Sequence, residues 1–346
     1  MLNDIIFARC LAISQKCFLN EAYKTSPIVD LYTINGIENK ATEICHYCTV
    51  DTLYSILKNE CLRFTDVRFL NDSTEFTEAI SLIKLVLNTE NYTQGFRNFI
   101  LESDIIKELE EYRQSYTGIS PKTHEYSELA YRTYTCSFST NSDSLNMWNY
   151  YATTSTGINL VFDFAWNMFK NSKKTDVNTM NKLENNIVIY RGLILYTLED
   201  KKKCITKLLN ELSIVYEEVK SELDTYKNLM LLAFKEAVNH MRCFFKNDHF
   251  SGEEEYRVVL KIPEVFLMEE EYENCWDIKE NGFFRRENIL IPYIDYKFQQ
   301  SSIKRITINP YNKGNSMFEL GIKELLWTYQ LQNVKIVSSN IPIRKY

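Results

Sequence analysis

A chain of 346 residues, 45% hydrophobic and 14% aromatic, is long enough to bury a substantial core. Its 25% charged residues and net charge of −6 leave no strongly basic stripe, which argues against nucleic acid or an anionic membrane surface as the main partner. No run approaches the ~20 apolar residues of a membrane helix, the opening MLNDIIFARCLAIS lacks the parts of a secretion signal, and nine cysteines without a regular framework suit a reduced cytoplasmic setting as free thiols.

Nine glycines and six prolines leave few breakers and no tether, so residues 1–346 are expected to form a single α+β domain. Residues 1–40 are an N-terminal helical segment ending near Pro27, and ATEICHYCTV is a strand. In DTLYSILKNECLRF, Asp51 can cap a helix with Leu53, Ile56 and Leu57 at helical spacing, and LRFTD returns as a strand. Asn71, Asp72 or Ser73 can cap the next helix, whose inner stripe includes Phe76, Ile80, Ile83 and Val86, and a further helix covers about 97–114.

The middle of the chain is β-rich. YRTYTCSFST and GINLVF read as strands flanking a Trp-containing turn, and IVIYRGLILY as a strand pair. Residues 199–248 form a helical insertion, one long helix or two. EEYRVVLKI, IKRITINPY and VKIVSS are strands, with a helix over MFELGIKELLWTYQL. Together these predict a central mixed, largely antiparallel sheet with helices packed around it.

Chemistry-bearing residues concentrate in four segments: His46, Tyr47 and Thr49; Phe69 to Glu75; Ser137 to Tyr151; and Glu253 to Arg257. Cys45 and Cys48 have the spacing of half a zinc site, but no second pair follows, so no metal is expected there. Glu253, Glu255 and Arg257 alternate as they would on one strand face, where Arg257 keeps the carboxylates ionised. The same pattern is also what a structural ion-pair ladder looks like. Asp72 followed by Glu75 fits a capping box.

The order HYCTVDTLYSIL, RFTDVRFLNDSTEF, CSFSTNSDSLNMWNYYATTSTGINLVF, FSGEEEYRVV, ITINPY and SSNIPIR resembles the bacterial domain-of-unknown-function 2971 family. Its most specific pieces are Trp148, Tyr151 and Gly157, and Glu253, Glu255 and Arg257. The family brings no settled activity, and it suggests a bacterial stress or phage-defence setting. A more distant likeness in motif order is to ADP-ribosyltransferases. That likeness implies a cleft taking NAD as substrate, with His46 on the adenosine ribose, Tyr150 or Tyr151 packing on nicotinamide, and Glu255 on the nicotinamide ribose hydroxyl. Tyr47, Thr49, Ser137 and Trp148 would complete the nucleotide site, with Glu253 and Arg257 beside Glu255; the protein or nucleic-acid acceptor stays open.

Two other readings stand beside it. The same cleft could sense a nucleotide or other small ligand without reaction, or Asp72, Glu75, Glu253 and Glu255 could hold a divalent ion for a nuclease. No phosphate-cradling glycine loop, G-x-S-x-G elbow or H-E-x-x-H is present.

Overall fold

A computed structural model of the protein describes residues 5–6, 8–10, 13, 28–30, 43–72, 74–111, 131–152, 156–163, 168–169, 188–263 and 278–343. In chain order its elements are β1 (Ile28–Asp30), β2 (Glu43–Thr49), α1 (Val50–Asn59), β3 (Cys61–Asp66), α2 (Glu78–Thr89), α3 (Gln94–Leu101), α4 (Asp104–Glu111), β4 (Tyr131–Ser139), α5 (Leu145–Tyr151), β5 (Gly157–Asp163), β6 (Val188–Leu193), α6 (Leu198–Val219), α7 (Leu223–Met241), β7 (Glu255–Pro263), β8 (Ile278–Arg286), β9 (Ile289–Lys297), β10 (Ile303–Ile308), α8 (Ser316–Thr328) and β11 (Lys335–Ser338). No helix among the described residues is long and apolar enough to cross a membrane. The chain divides into two compact units, one from residues 1–39, 70–128 and 190–250, the other from 40–69, 129–189 and 251–346.

The first unit is helical. Thr93 and Thr197 cap α3 and α6 through side-chain oxygens that accept from the backbone N–H groups of Phe96 and Asp200. The apolar stripe of α2 (Ile80, Ile83, Val86, Leu87) is buried against α6, and α6 packs on α7. Phe96, Phe99 and Tyr216 bring their rings together between α3 and α6. Lys201, 1% exposed, is held by both oxygens of Glu78 at 2.8 and 2.7 Å. The insertion expected over 199–248 is thus two helices that join α2, α3 and α4 in one helical body.

The second unit is built on the expected mixed, largely antiparallel sheet. Its strands run β7-β4-β2-β5-β10-β11, and β3 joins β4 and leads to β9 and β8. Only β10–β11 is parallel among the pairs of this unit whose register is described. Helix α1 packs on β2, β3 and β5, and α5 packs on β2.

Local expectations needed several corrections. Thr49, not Asp51, caps α1, its hydroxyl accepting from Thr52 N–H at 3.3 Å, because the strand ends there and leaves Thr49 extended. Helix α2 starts only at Glu78, and Asp72 instead closes a local turn on Thr74. The Trp148 segment is a 7-residue helix capped by Ser144. The helix expected over 97–114 breaks between α3 and α4, and IVIYRGLILY is one strand, β6, followed by an isolated bridge from Leu195 to Phe245. The hairpin β8–β9 had no counterpart in the sequence reading. Most of the N-terminal segment, Ser73, and residues 112–114 of the expected helix lie outside the described residues.

Candidate functional site

Residues directly opposite in an antiparallel pair project from the same face, and neighbours along a strand project from opposite faces. Cys45 sits opposite both Ser139 and Val161, Tyr47 opposite Asn159, Ser139 opposite Glu255, and Ser137 opposite Arg257. One face of β5-β2-β4-β7 therefore carries Tyr47, Asn159, Ser137, Ser139, Glu255 and Arg257. The other carries Ile44, His46, Leu160, Phe138, Tyr256 and Val258, and apart from His46 all of these are buried.

The polar face holds the site. Arg257, 1% exposed, donates from Nε and Nη2 to the two oxygens of Glu255 at 2.8 and 3.1 Å, and Glu255 is 2% exposed. Taking two charges from water is costly, and only close, hydrogen-bonded geometry of this kind repays it. Ser137 is solvent-exposed, yet its hydroxyl donates to Glu255 Oε1 at 2.5 Å. The carboxylate is thus fixed by Arg257 and contacted by an exposed hydroxyl. Thr135, two residues along, instead donates to the Val258 carbonyl.

Glu253 does not continue the strand pattern. It ends a 3-10 segment, and Glu254 at φ 45 turns the chain before β7 begins at Glu255. Ser139 donates to the Glu253 carbonyl, the Thr140 N–H to the Glu254 carbonyl, and the Asn141 side-chain amide to the Glu254 carboxylate, which fix this turn. Glu253 Oε1 then accepts from the Tyr151 hydroxyl at 3.0 Å. Burial, and next the adjoining Glu253 charge, push the Tyr151 phenol well above its ordinary value, so it stays a donor. Tyr151 is 40% and Tyr150 70% exposed.

Trp148 has a different role from the one expected. It is fully buried, stands edge-on to Tyr47 with ring centroids 4.8 Å apart, and donates from Nε1 to Asp143 at 2.8 Å. Asp143 also accepts from the Ser339 hydroxyl and the Asn340 N–H, tying the NSDS loop to the end of the chain. Tyr47 donates to the Asn141 carbonyl and accepts from the Ser144 N–H, so both aromatic residues position α5. Gly157 faces the Ala152 carbonyl and the Asn309 amide so closely that a Cβ would lie 2.3 Å from the first and 2.6 Å from the second. Asp143 and Asn309 were missed in the sequence, where an Asp in a polar loop and an Asn before Pro310 look like ordinary turn residues.

Among the expected ligand residues, Ser137, Tyr151, Glu253, Glu255 and Arg257 come together, and Tyr47 and Trp148 hold α5, which carries Tyr151. His46 does not join that set: it points to the opposite face, beside Phe138 with centroids 5.7 Å apart, and its Nδ1 lies 3.3 Å from the Ser137 carbonyl. Partial burial lowers its pKa, partly offset by that carbonyl. The Thr49 hydroxyl is engaged at the α1 cap. Cys45 and Cys48, three apart on a strand, face opposite ways, and burial pushes each thiol up to about 12, as buried free thiols behave.

Asp72 and Glu75 belong to the helical unit. Burial pushes the Asp72 carboxyl up, but hydrogen bonds from Asn247 N–H and from Thr74 N–H and hydroxyl outweigh it and leave it below the ordinary carboxylate value. With both its oxygens so engaged, Asp72 is a turn residue, and Glu75 completes no capping box because α2 starts after it.

Residues 147–258 match the model of a family described as Protein of unknown function (DUF2971). That stretch contains Trp148, Tyr151, Gly157, Glu253, Glu255 and Arg257, the residues on which the resemblance rests. No curated protein matches the chain, and no solved structure does.

Proposed function

We propose that this chain, placed in the DUF2971 family by residues 147–258, binds an NAD-type dinucleotide at the polar end of β4 and β7 and breaks its nicotinamide–ribose bond, as a glycohydrolase or ADP-ribosyl transferase. The observation that carries this reading is Glu255, an anion fixed by Arg257 and capped on its solvent side by the exposed Ser137 hydroxyl. A sugar hydroxyl can take over or extend the contact that Ser137 makes.

Departure of nicotinamide, with the C–N electron pair, leaves positive charge on the ribose ring. A carboxylate already in position stabilises charge that exists only in the transition state, which is the interaction that raises a rate. Water or an acceptor hydroxyl then adds at C1′ and gives up its proton. Glu253, hydrogen-bonded to Tyr151, is the second carboxylate at hand for that proton, and the exposed rings of Tyr150 and Tyr151 offer surface for the nicotinamide. His46 has no part, since its ring faces the other way.

The completeness of the ion pair favours a second reading. Arg257 engages both oxygens of Glu255, an arrangement that also suits a nucleotide-binding module that carries out no reaction. Nicotinamide release from NAD by purified protein separates the two, with wild type compared to Glu255→Gln, with and without cell extract as acceptor source. Release by wild type alone, with both proteins folded by circular dichroism, supports the enzyme. An NAD-dependent rise in melting temperature without release supports the binding module.

A further inference from the structure

We infer that the chain self-associates through β8, two copies pairing edge to edge in antiparallel register about a two-fold axis at Phe283. Among the described residues β8 pairs only with β9, so its other edge presents backbone N–H and C=O groups that natural sheets rarely leave open beside apolar side chains. Phe283 on this edge is 66% exposed, and Ile289 and Leu290 beside the turn are 56% and 64% exposed.

The register follows from the hairpin. Arg286 pairs with Ile289 across a two-residue turn whose first residue, Glu287, has φ 54, the positive value that favoured two-residue hairpin turns require. Bonded and non-bonded pairs alternate from that closing pair. Arg286, Phe284 and Gly282 therefore bond toward β9, and Arg285, Phe283 and Asn281 turn their backbone groups outward.

An axis at Phe283 sets those outward residues against each other, Phe283 on Phe283 and Asn281 on Arg285, so every outward group gains a partner. It also sets Glu280 opposite Arg286 of the second copy, and Gly282 opposite its Phe284. Moving the axis to Gly282 sets Glu280 against an apolar ring and pairs no opposite charges, Lys279 lying where the strand register is interrupted. Moving it to Phe284 leaves no oppositely charged pair. A second copy of this chain thus fits the edge in one register, with opposite charges directly across the strands.

Sedimentation of the full chain tests this. Wild type is expected to run as a two-chain particle at micromolar concentration. Glu280→Arg or Arg286→Glu alone sets like charges across the axis, and each is expected to weaken association at least tenfold. The double exchange Glu280→Arg with Arg286→Glu restores it, which a merely misfolded variant would not. Every described cysteine is buried, and Cα atoms in a bonded antiparallel pair lie about 5.5 Å apart, within disulfide reach. Phe283→Cys should therefore cross-link into a covalent dimer on mild oxidation. A wild type that sediments as a single chain, or a dimer indifferent to the charge exchanges and not cross-linked through Phe283→Cys, overturns the inference.

Discussion

The two faces of the β5-β2-β4-β7 sheet share strands and differ in chemistry. One side packs His46, Phe138, Leu160 and Tyr256, with a T-shaped contact between Phe138 and Phe162 at 5.9 Å. The other buries Tyr47, Asn159, Ser139, Glu255 and Arg257, which bond to partners on neighbouring strands and loops, although the Asn159 side-chain oxygen itself accepts no hydrogen bond among the described residues. An apolar face needs only volume and shape, so many sequences would serve. A buried polar face needs specific partners in place, and the exposed Ser137 is where a ligand can extend it.

The largest effects should separate the faces by rescue. Arg257→Leu leaves Glu255 buried without its partner and should cost about 3–5 kcal/mol in urea unfolding. Adding Glu255→Leu should return much of that. Phe138→Ala should cost a similar ~3–5 kcal/mol through a cavity, and no second substitution on the polar face should recover it. If the double Leu variant is no more stable than Arg257→Leu, the ion pair is not what organises this face.

Trp148→Phe keeps the ring but loses the bond to Asp143, leaving that carboxylate one donor short, for about 1–3 kcal/mol by the same measurement. A smaller effect belongs to the apolar face. His46 has its pKa lowered from 6.5 by burial, so the unfolded chain takes up the proton first. Stability is therefore full above pH 6.5 and falls as the pH drops from there through the folded value. Melting curves between pH 7 and pH 5 should show this loss, and His46→Gln should flatten it. Asp72 acts lower, since its carboxyl is depressed from 3.8 and its stabilisation is lost only below that pH.

Much of the sheet was legible because alternation is local. GINLVF and RVVL announce buried strands, and Glu255 and Arg257, two apart, had to share a face. The partners of the polar face were not legible, because they come from far along the chain: Asp143 meets Ser339 and Asn340, and Tyr47 meets Asn141. Helix α5 is too short for its periodicity to show. The β8–β9 hairpin was missed because KENGFFRREN alternates poorly, with Phe283 exposed and Phe284 half-buried. Residue order alone suggested His46 for the ligand set; the β2–β4 register, which no single strand encodes, points it away from Glu255.

Calorimetric titration of NAD into wild type and into Ser137→Trp tests the central claim most directly, because the indole fills the solvent side of Glu255 at an exposed position. The account predicts that wild type binds and that Ser137→Trp, still folded by circular dichroism, does not. Equal binding by both proteins would place the ligand elsewhere and contradict it.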